Sequence, residues 1–557
     1  MKRGLYIILS GLFFSCGKND SQTDPPPTPE PPPASFKLNS WLLNGSSSST
    51  TAYDINTTPA FRFNFSGAVN RTTVASAISL TEMAGTPVPF SASYSNGDSV
   101  VIITPNNPLL YLAKYKTTVG TSLKSSKGGS LTSGVTVTFL TSIDSSDKFS
   151  QISDEALIEK VQKQTFRYFW DFGHPVSGLA RERTGWDDNV VTSGGSGFGI
   201  MAILTGIHRA FITKAEGLAK MQTIVGFLKN TAQKHKGAFP HWLNGQSGIT
   251  YPFSPKDNGA DLVETSYLIA GLLCARQYFS GTDATETALR NDINEIWQGV
   301  EWDFFRKNNE NVLYWHWSPN YNWDMNMPIR GWNECLITYV LAASSPTHAI
   351  PKIVYDQGWA QNGAMKNGNV YYNYTLPLGP SYGGPLFFSH YSFLGINPTD
   401  LADVYANYET QVTNHTKINH EYCKDNPKGF FGYSDQCWGL TASDVPNGYN
   451  ASSPTNDIGV IAPTAALSSF PYTPTESMKA LKFFYYKLGD KLWGDYGFKD
   501  AFSLKEPWFA STYLAIDQGP IIVMLENYRS GLLWNLFMSC PEVKNGMKSL
   551  GFTSPNL

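Results

Sequence analysis

The pattern of apolar and polar positions changes character near residue 150. Before that point, apolar residues alternate with polar ones, as in residues 61–65 (FRFNF), or form short β-branched runs such as residues 99–103 and 134–139. Gly, Asn, Ser and Pro separate these runs. Short strands at regular spacing between turn residues are typical of a β-sandwich. The pattern therefore predicts a small all-β sandwich over residues 36–145.

From Ser153 onward, the apolar residues recur at helical spacing. Ser153 or Asp154 can cap a first helix that carries Leu157, Val161 and Phe166 on one face. Further helices are expected near 215–235, 261–279, 284–305, 333–343, 398–412, 458–469, 475–489 and 519–538. Strands and helices do not alternate, which argues against a Rossmann or TIM-barrel fold. Helix pairs with long aromatic loops predict a mainly α fold, an (α/α)6 toroid over residues 151–557.

The first sixteen residues, MKRGLYIILSGLFFSC, are typical of an export signal. Their apolar run follows a basic start and is too short to span a membrane as a mature helix. The run ends at Cys16 in a sequence that resembles a bacterial lipobox, although a plain secreted protein is the alternative. Residues 17–35 are Pro-rich and predict an extended linker. We therefore expect an exported lipoprotein of a Gram-negative bacterium, periplasmic or held at the outer membrane through Cys16.

Composition narrows the class of partner. The chain has 42 basic and 45 acidic residues and a net charge of −3, which argues against nucleic acid as the main partner. Aromatic residues make up 14 % of the chain, as expected for a groove that binds sugars as well as for a large core. The spacing of the cysteines predicts no zinc site, and Cys423 and Cys437 can form a disulfide or remain buried thiols. We expect a monomer.

Three acidic residues lie together before the helix predicted at 261–279. Asp261 and Glu264 share a face of its first turn, and Asp257 lies in the loop just before. Acids in this position are commonly N-terminal caps that compensate the helix dipole. Their number, next to aromatic loops, equally suits contact with a substrate. The residues alone leave both interpretations open.

Glu334 lies at the start of another apolar helix, in the sequence Gly-Trp-Asn-Glu. An indole and an apolar wall would disfavour its charged form and raise its pKa, as a general acid requires at neutral pH. An N-terminal cap is again the structural alternative. The loop before it carries side chains that suit stacking on pyranose rings or hydrogen bonding to them. These candidates are Trp315, Trp323, Arg330 and Trp332.

Asp517 is the single acid in an apolar run from Trp508 to Leu525. An isolated acid in such a run must be paired, hydrogen-bonded or functional. Gly519-Pro520 is expected to start the last helix, which places Asp517 in a loop where backbone N–H groups would hold its carboxylate ionised. An ionised carboxylate is a suitable general base. A structural cap is the alternative.

Other polar positions are weaker candidates for binding substrate. Arg181, Asp188 and the Gly-rich residues 193–199 are expected in loops around the cleft. His390 and Asp444 are individually as compatible with a structural role. No nucleotide-binding, zinc-protease or serine-hydrolase motif occurs in the chain.

Five segments of the second region resemble the bacterial β-1,2-glucanases, a family long labelled glucoamylase-like. They are KDNGADLVETSYLIAGLL, GWNECLITYVLAASSPTHAI, GLTASDVPNGYNA, IAPTAALSSFPYTP and AIDQGPIIVMLENYRSGLLW. The resemblance covers residues 154–557. It implies an (α/α)6 toroid, inverting hydrolysis of β-1,2-glucosidic bonds without an organic cofactor, and essential roles for Asp257, Asp261, Glu264 and Glu334. The first region resembles the bacterial Ig-like modules that precede extracellular enzymes.

A glycoside hydrolase that cleaves β-1,2-glucan to sophorose or short sophorooligosaccharides is the favoured function. An inverting enzyme needs one protonated and one ionised carboxyl group about 6.5–9.5 Å apart. Glu334 is the expected general acid and Asp517 the expected general base, with Asp257 or Asp261 as the rival base. A glucoamylase-like α-glucan hydrolase and a non-catalytic surface glycan-binding lipoprotein are the alternatives. No cofactor is expected, although a structural calcium ion near the first acid cluster is compatible with the sequence.

Overall fold

The computed structural model describes residues 35–557. The predicted export signal, Cys16 and all but the last residue of the Pro-rich linker lie outside these residues. The described residues form two compact units, one mainly of residues up to 139 and one mainly of residues 140–557. None of the described helices combines the length and the apolar character needed to cross a membrane.

The first unit is a sandwich of two four-stranded sheets. Its strands are β1 Leu38–Leu43, β2 Thr51–Ile55, β3 Phe61–Phe65, β4 Ile78–Glu82, β5 Phe90–Ser95, β6 Val100–Pro105, β7 Lys114–Val119 and β8 Val135–Thr141, with a short helix α1, Val74–Ala77, before β4. The strand orders are β1-β3-β6-β5 and β2-β8-β7-β4. The adjacent strands β1 and β3, β3 and β6, β5 and β6, and β4 and β7 pair antiparallel.

The alternation seen in the sequence creates the core of this sandwich. In β3, Phe61, Phe63 and Phe65 are buried while the residues between them are partly exposed. Because successive side chains of a strand point to opposite faces, one face of β3 is apolar and packs inward. Phe61 contacts Phe139 of β8, a strand of the other sheet, with ring centroids 5.2 Å apart. The predicted all-β sandwich is confirmed.

The second unit is an (α/α)6 toroid. Its helices are α2 Asp154–Trp170, α3 Ser193–His208, α4 Lys214–Asn230, α5 Leu262–Tyr278, α6 Ala284–Gln298, α7 Leu336–Ser344, α8 Lys352–Val354, α9 Tyr408–Asp425, α10 Pro463–Leu467, α11 Pro474–Lys482, α12 Gly489–Leu492, α13 Ala515–Ser530, α14 Leu532–Met538 and α15 Pro541–Leu550. The inner ring contains α3, α5, α7, α10 and α13, which are buried over most of their length, and two short 3-10 turns, Leu386–Ser389 and Tyr391–Leu394.

Short sheets of two or three strands connect the loops between these helices. Their strands are β9 Val190–Thr192, β10 Trp242–Asn244, β11 Thr250–Tyr251, β12 Ala260–Asp261, β13 His316–Trp317, β14 Val370–Tyr371, β15 Tyr374–Thr375, β16 Ala442–Val445, β17 Gly448–Ala451, β18 Trp493–Gly494, β19 Gly497–Phe498, β20 Phe502–Ser503 and β21 Trp508–Phe509. Among them, β9 and β12 lead directly into α3 and α5, and β12 pairs with β13 from the loop before α7. The loop ends that precede inner helices are therefore fixed in place.

Three predictions about helices were wrong. Residues 193–199 are the first turns of α3, because Gly197 lets this inner helix approach α5: a Cβ there would lie 2.1 Å from the carbonyl oxygen of Tyr267. The helix expected at 398–412 begins at Tyr408, capped by Asn407, whose side chain accepts from the N–H of Thr410 at 2.8 Å. The helix expected from residue 519 starts at Ala515, so Pro520 lies inside it.

Candidate active site

A cavity of about 450 Å³ opens in the second unit. It is lined by acidic, basic and aromatic side chains together with apolar ones, a mixture suited to a ligand with both ring faces and hydroxyl groups. The lining residues are Glu182, Arg183, Thr192, His241, Trp242, Phe253, Glu264, Phe387, Tyr391, Ala442, Tyr449, Ala451, Leu514 and Ile516. Several of them lie just before the N-terminus of an inner helix or at its start, where backbone N–H groups and the helix dipole favour anions.

Asp261 is the N-cap of α5 and is fully buried. Its Oδ1 accepts from the backbone N–H groups of Val263 and Glu264 at 3.0 and 2.9 Å, and its Oδ2 lies 3.2 Å from Nδ1 of His241. Burial alone would raise the pKa of Asp261, but the hydrogen bond with His241 and the charges of His241 and His316 lower it. Asp261 is therefore an ionised carboxylate and a weak proton acceptor.

Two histidines balance the charge of this cluster. Nδ1 of His316 lies 3.4 Å from Oδ1 of Asp257 and 3.8 Å from Oδ2 of Asp261. Burial opposes the charge of His241, but Glu264, Asp261 and Glu182 outweigh it and raise its pKa to about 10. For His316, burial is likewise outweighed by Asp257 and Asp261, and its pKa is raised. The acids predicted at 257–264 thus lie together, and imidazolium groups pair with them.

Glu264 lies against the N-terminus of α3. Its Oε2 accepts from the backbone N–H of Gly194 at 2.7 Å, and a Cβ at Gly194 would lie 2.3 Å from that oxygen. Glycine is therefore required for the close approach of this carboxyl group to the helix. Burial raises the pKa of Glu264 to about 7, and Asp261 adds to the effect while His241 opposes it.

Glu334 lies in the turn just before α7, and its side chain is partly accessible. Its backbone oxygen accepts from the hydroxyl groups of Ser392 at 2.5 Å and Tyr267 at 3.3 Å, which fixes the turn. Burial raises the pKa of its carboxyl group to about 7, with further contributions from Glu264 and Asp261. Trp332, which the sequence placed beside it, is buried and packs on Phe393 instead.

Asp517 differs from its predicted environment. It lies in the first turn of α13 rather than in a loop, and neither of its buried oxygens accepts from an N–H or O–H group of the residues described. Burial raises its pKa well above the usual value, and the neighbouring carboxyl groups of Asp500 and Asp444 raise it further. The expectation that backbone donors keep Asp517 ionised was wrong, because the helix begins two residues before it.

Asp444 is hydrogen-bonded to residues of three different segments near the cavity. Its Oδ1 accepts from Nη1 of Arg183 at 2.9 Å and its Oδ2 from the hydroxyl of Thr512 at 2.6 Å. Its backbone N–H donates to Oδ2 of Asp500 at 2.6 Å. Asp444 therefore links the loop before α3, the β16–β17 hairpin and the loop before α13, and its carboxylate is occupied by protein donors.

Other predicted binding residues have partners within the fold. Arg181 donates to the backbone oxygens of Asp188 and Phe172 at 2.8 and 3.1 Å, and its neighbours Glu182 and Arg183 line the cavity instead. Asp188 is exposed. His390 is buried, its Nε2 lies 3.0 Å from Oγ of Ser469, and burial lowers its pKa to about 3, so it is neutral.

The aromatic loop before α7 packs mainly on protein rings. The backbone oxygen of Trp315 accepts from the N–H of Leu262 at 2.9 Å, and Trp323 stacks on Phe304 with ring centroids 5.3 Å apart. Arg330 is exposed and donates to the backbone oxygen of Gln357 at 3.1 Å. None of these side chains lines the cavity described above.

The sequence interpretation missed His241 and Asp500. Asp500 lies between buried apolar neighbours, Phe498, Ala501 and Phe502, and the rule that singled out Asp517 also applies to it. For His241 the sequence offers only a neighbouring tryptophan, and its acidic partners come from α5 and from the loop before α3. Only the tertiary fold brings those groups together.

Comparison with known proteins places the chain among carbohydrate-active relatives. A family described as "Putative glucoamylase" matches residues 326–541, and the bacterial Ig-like domain family matches residues 43–141. The chain is 46 % identical over 420 residues to an exo β-1,2-glucooligosaccharide sophorohydrolase (non-reducing end) from Parabacteroides distasonis. This alignment covers 72 % of the chain but only 58 % of that relative, so the chain spans little more than half of the relative's length.

Two solved structures extend the match. An endo-β-1,2-glucanase from Chitinophaga pinensis, in complex with sophorotriose and glucose, is 54 % identical with a TM-score of 0.72, covering 73 % of this chain and all of that one. The chain belongs to the bacterial β-1,2-glucanase family. A β-1,2-glucanase from Parabacteroides distasonis is 38 % identical with a TM-score of 0.70, covering 92 % of this chain and 73 % of that one.

One group of side chains in this β-1,2-glucanase family member offers the ligand types that hold a metal ion. Ligand atoms of His241, Asp257 and Asp261 lie within 4.8 Å of one another. Calcium prefers oxygen ligands, so an imidazole in the set fits it poorly. The residues therefore do not fit the calcium ion that the sequence left open.

The five cysteines of the second unit are free and buried. Cys423 and Cys437, which the sequence left as either a disulfide or a pair of thiols, are therefore thiols in this structure. Burial raises the pKa of both well above the usual value, which suits an inert structural role.

Proposed function

We propose that this protein hydrolyses the β-1,2-glucosidic bonds of β-1,2-glucan with inversion and releases sophorose or short sophorooligosaccharides. The observation that carries the proposal is that the acids of this region differ in protonation. The pKa of Glu334 is raised to about 7, so its carboxyl group holds a proton below that pH, whereas the pKa of Asp261 is lowered and this group is ionised. Carboxyl groups held in different protonation states are what general acid–base hydrolysis requires.

Glu334 is the proposed general acid. Its carboxyl proton passes to the glycosidic oxygen as the bond from that oxygen to the anomeric carbon breaks. A water molecule adds to the anomeric carbon from the opposite face, and its proton passes to the general base. The reacting bond is thus cleaved by protein side chains alone, with no organic cofactor.

Asp517 is the proposed general base, with Asp257 as the rival. Asp261 is disfavoured as a base because its pKa is lowered and both its oxygens have donors or a histidine beside them. Asp257 and Glu264 instead suit acceptance of hydrogen bonds from glucose hydroxyl groups, and the fully buried Asp261 holds His241 in place. Trp242 and Phe253, which line the cavity, offer apolar faces to pyranose rings.

Release of reducing sugar from three linear glucans tests this function. We expect activity on β-1,2-glucan and little on β-1,3- or α-1,4-glucan. Activity confined to α-1,4-glucan would support a glucoamylase-like hydrolase, and binding without release of sugar would support a glycan-binding protein. Proton NMR of the first product should show the α-anomer, and a β-anomer would rule out inversion.

We also propose that the chain is an exported lipoprotein, since Cys16 ends a lipobox-like signal and a Pro-rich linker follows it. The variant Cys16→Ala should move the protein from the membrane fraction to the soluble fraction of cells. An unchanged distribution would argue against the lipid anchor.

A further inference from the structure

Two aromatic side chains beside the cavity are largely open to solvent. Trp186 is 40 % exposed and Phe253 is 48 % exposed, and they are the most exposed tryptophan and phenylalanine within residues 35–557. Phe253 lines the cavity, whereas Trp186 lies in the loop between Arg181 and Val191 and does not line it. A single exposed apolar residue needs no explanation, but a contiguous apolar surface is typical of a binding site.

The two rings belong to one contiguous aromatic surface. Trp186 contacts Trp242 and Tyr251, with ring centroids 4.9 and 6.1 Å apart. Trp242 in turn contacts Tyr251 at 6.1 Å and Phe253 at 4.7 Å between centroids. We call these four side chains the aromatic platform. Trp242 and Phe253 line the cavity and the other two do not, so the platform extends beyond the cavity.

The small sheet β9-β10-β11 gives the platform its direction. Trp242 of β10 lies directly opposite Thr192 of β9 on one side and Tyr251 of β11 on the other. Residues directly opposite each other in neighbouring strands project from the same face of a sheet. Oγ1 of Thr192 donates to Oε2 of Glu264 at 3.4 Å, so this row of side chains begins at an acid of the cavity. The row ends at Tyr251 on the edge strand, two strand spacings or roughly 10 Å from Thr192.

Hydrogen bonds hold the platform in place without a ligand. Nε1 of Trp242 donates to Oε2 of Glu182 at 3.3 Å, which orients the indole. In the loop that carries Trp186, the backbone N–H of Val190 donates to the backbone oxygen of Asp187 at 3.0 Å. A preformed surface loses less conformational entropy when a ligand binds to it.

We propose that the aromatic platform binds pyranose rings of the glucan chain outside the cavity, and that it makes the enzyme prefer long β-1,2-glucan chains to short ones. The cavity of about 450 Å³ lies in the lower half of the range of about 300–1,000 Å³ for ligand sites, so a polymer must extend beyond it. The platform continues the cavity wall and offers apolar ring faces, which suit an uncharged sugar. This inference rests on the proposed function.

Binding of two chain lengths tests the platform. The Glu334→Gln variant lacks the proposed general acid, so calorimetry on this background compares intact long β-1,2-glucan with sophorotriose. Adding Trp186→Ala should weaken binding of the long chain about fivefold and that of sophorotriose less than about twofold. Tyr528→Ala, at a position 44 % exposed near the end of α13, is the matched control and should change neither. Equal weakening for both lengths, or none for the long chain, would overturn the proposal.

Quenching of tryptophan fluorescence by acrylamide gives a second measurement on the same background. The difference between the signals with and without Trp186→Phe isolates the emission of Trp186. Since phenylalanine keeps an aromatic ring at this position, the comparison does not depend on whether Trp186→Ala folds. Long β-1,2-glucan should protect the Trp186 signal from acrylamide, and sophorotriose should not. A signal that stays fully quenched when the long chain is bound would overturn the proposal.

A second copy of the chain is the other occupant that the measurements must exclude. Sedimentation velocity should give the same mass with and without Trp186→Ala. A dimer that dissociates in this variant would show that the platform is a protein interface, and the proposal would be wrong.

Kinetics separate this inference from the proposed function. Trp186→Ala should raise KM for long β-1,2-glucan about fivefold with little change in kcat, because the contact is made equally in the ground state and the transition state. If the wild type cleaves this glucan and Trp186→Ala has the same KM, the platform alone is excluded. A wild type inactive on every glucan would overturn the proposed function, while calorimetry would still decide whether the platform binds the chain.

Discussion

The buried carboxyl groups around α5 and those around α13 have opposite electrostatic environments. Around α5, Asp257 and Asp261 are balanced by His241 and His316, and Asp261 also accepts from backbone N–H groups at its helix N-terminus. Around α13, no described group donates a hydrogen bond to Asp517, and burial together with neighbouring carboxyl groups raises the pKa of both Asp517 and Asp500. The first cluster therefore holds fixed negative charge, and the second can take up and release a proton.

This difference has a chemical meaning. A carboxylate neutralised by imidazolium and N–H donors is a poor base but a good acceptor for sugar hydroxyl groups. A carboxylate whose pKa is raised by burial is closer to the operating pH and is the better catalyst of proton transfer. We therefore assign binding and orientation of the glucan to the α5 cluster and proton uptake to the α13 cluster. Glu334 supplies the proton for the leaving group.

The largest expected effect is at Glu334. Glu334→Gln removes the proton donor and keeps the shape of the side chain, so kcat should fall at least about a hundredfold. Circular dichroism should show an intact fold, and Glu301→Gln, at a partly exposed position, is the matched control. A variant within tenfold of the wild type would exclude Glu334 as the general acid.

The next test decides which cluster supplies the base. Asp517→Asn should lower kcat about a hundredfold or more, whereas Asp257→Asn should act more on KM because its proposed role is to bind hydroxyl groups. The measurement is the full kinetics of both variants on β-1,2-glucan. If Asp257→Asn is inactive and Asp517→Asn remains active, the general base belongs to the α5 cluster.

The pH dependence of kcat should reflect the proton on Glu334. Its pKa is raised to about 7, so the carboxyl group is protonated below that pH and loses its proton above it. We therefore expect kcat to fall as the pH rises beyond about 7, approaching a tenfold loss per pH unit. A rate that stays constant up to a much higher pH would contradict this assignment. The residual kcat of Glu334→Gln should not show this decline above about pH 7.

Stability should respond to the two clusters with opposite signs. His241→Gln removes a charge partner of the fully buried Asp261, and we expect a loss of about 2 kcal/mol in the free energy of unfolding, reduced from the value for deeply buried pairs because His241 is partly exposed. Asp517→Asn replaces a buried carboxyl group that has no hydrogen-bond donor among the described residues and lies near other acids by a neutral amide, which should raise the free energy of unfolding by up to about 1 kcal/mol.

Denaturant unfolding at about pH 8 measures both changes, with Asp490→Asn as an exposed control that should change little. Equal losses in His241→Gln and Asp517→Asn would contradict the distinction between the clusters, because both would then depend on fixed charge in the same way.

The smallest expected effect is that of metal removal. His241 and His316 already supply positive charge to the α5 cluster, so incubation with a chelator should leave kcat and the melting temperature unchanged. Loss of activity that an added divalent cation restores would instead place a metal ion among His241, Asp257 and Asp261. In that case a metal ion, and not the two imidazolium groups, would balance the negative charge of the α5 cluster.

Local sequence patterns predicted much of the fold. In β3 and in the helix after Ser153, one face of the strand or helix is buried. Apolar residues therefore recur along the sequence with the period of a strand or of a helix. The acids at 257–264 were also identified, because the N-terminus of a helix is itself a local feature. Helix α3 was missed because its glycines look like a loop until a partner helix requires a close approach.

By itself, the sequence determined the all-β and all-α regions, the toroid, the burial of Asp517 and the position of Glu334 before an inner helix. Only the tertiary structure decided the state of each acid. His241 reaches Asp261 from another loop, Asp500 accepts from the backbone N–H of Asp444, and most aromatic side chains before α7 pack on the core. A pKa depends on the charges, donors and solvent within a few ångströms, and those neighbours come from distant parts of the chain.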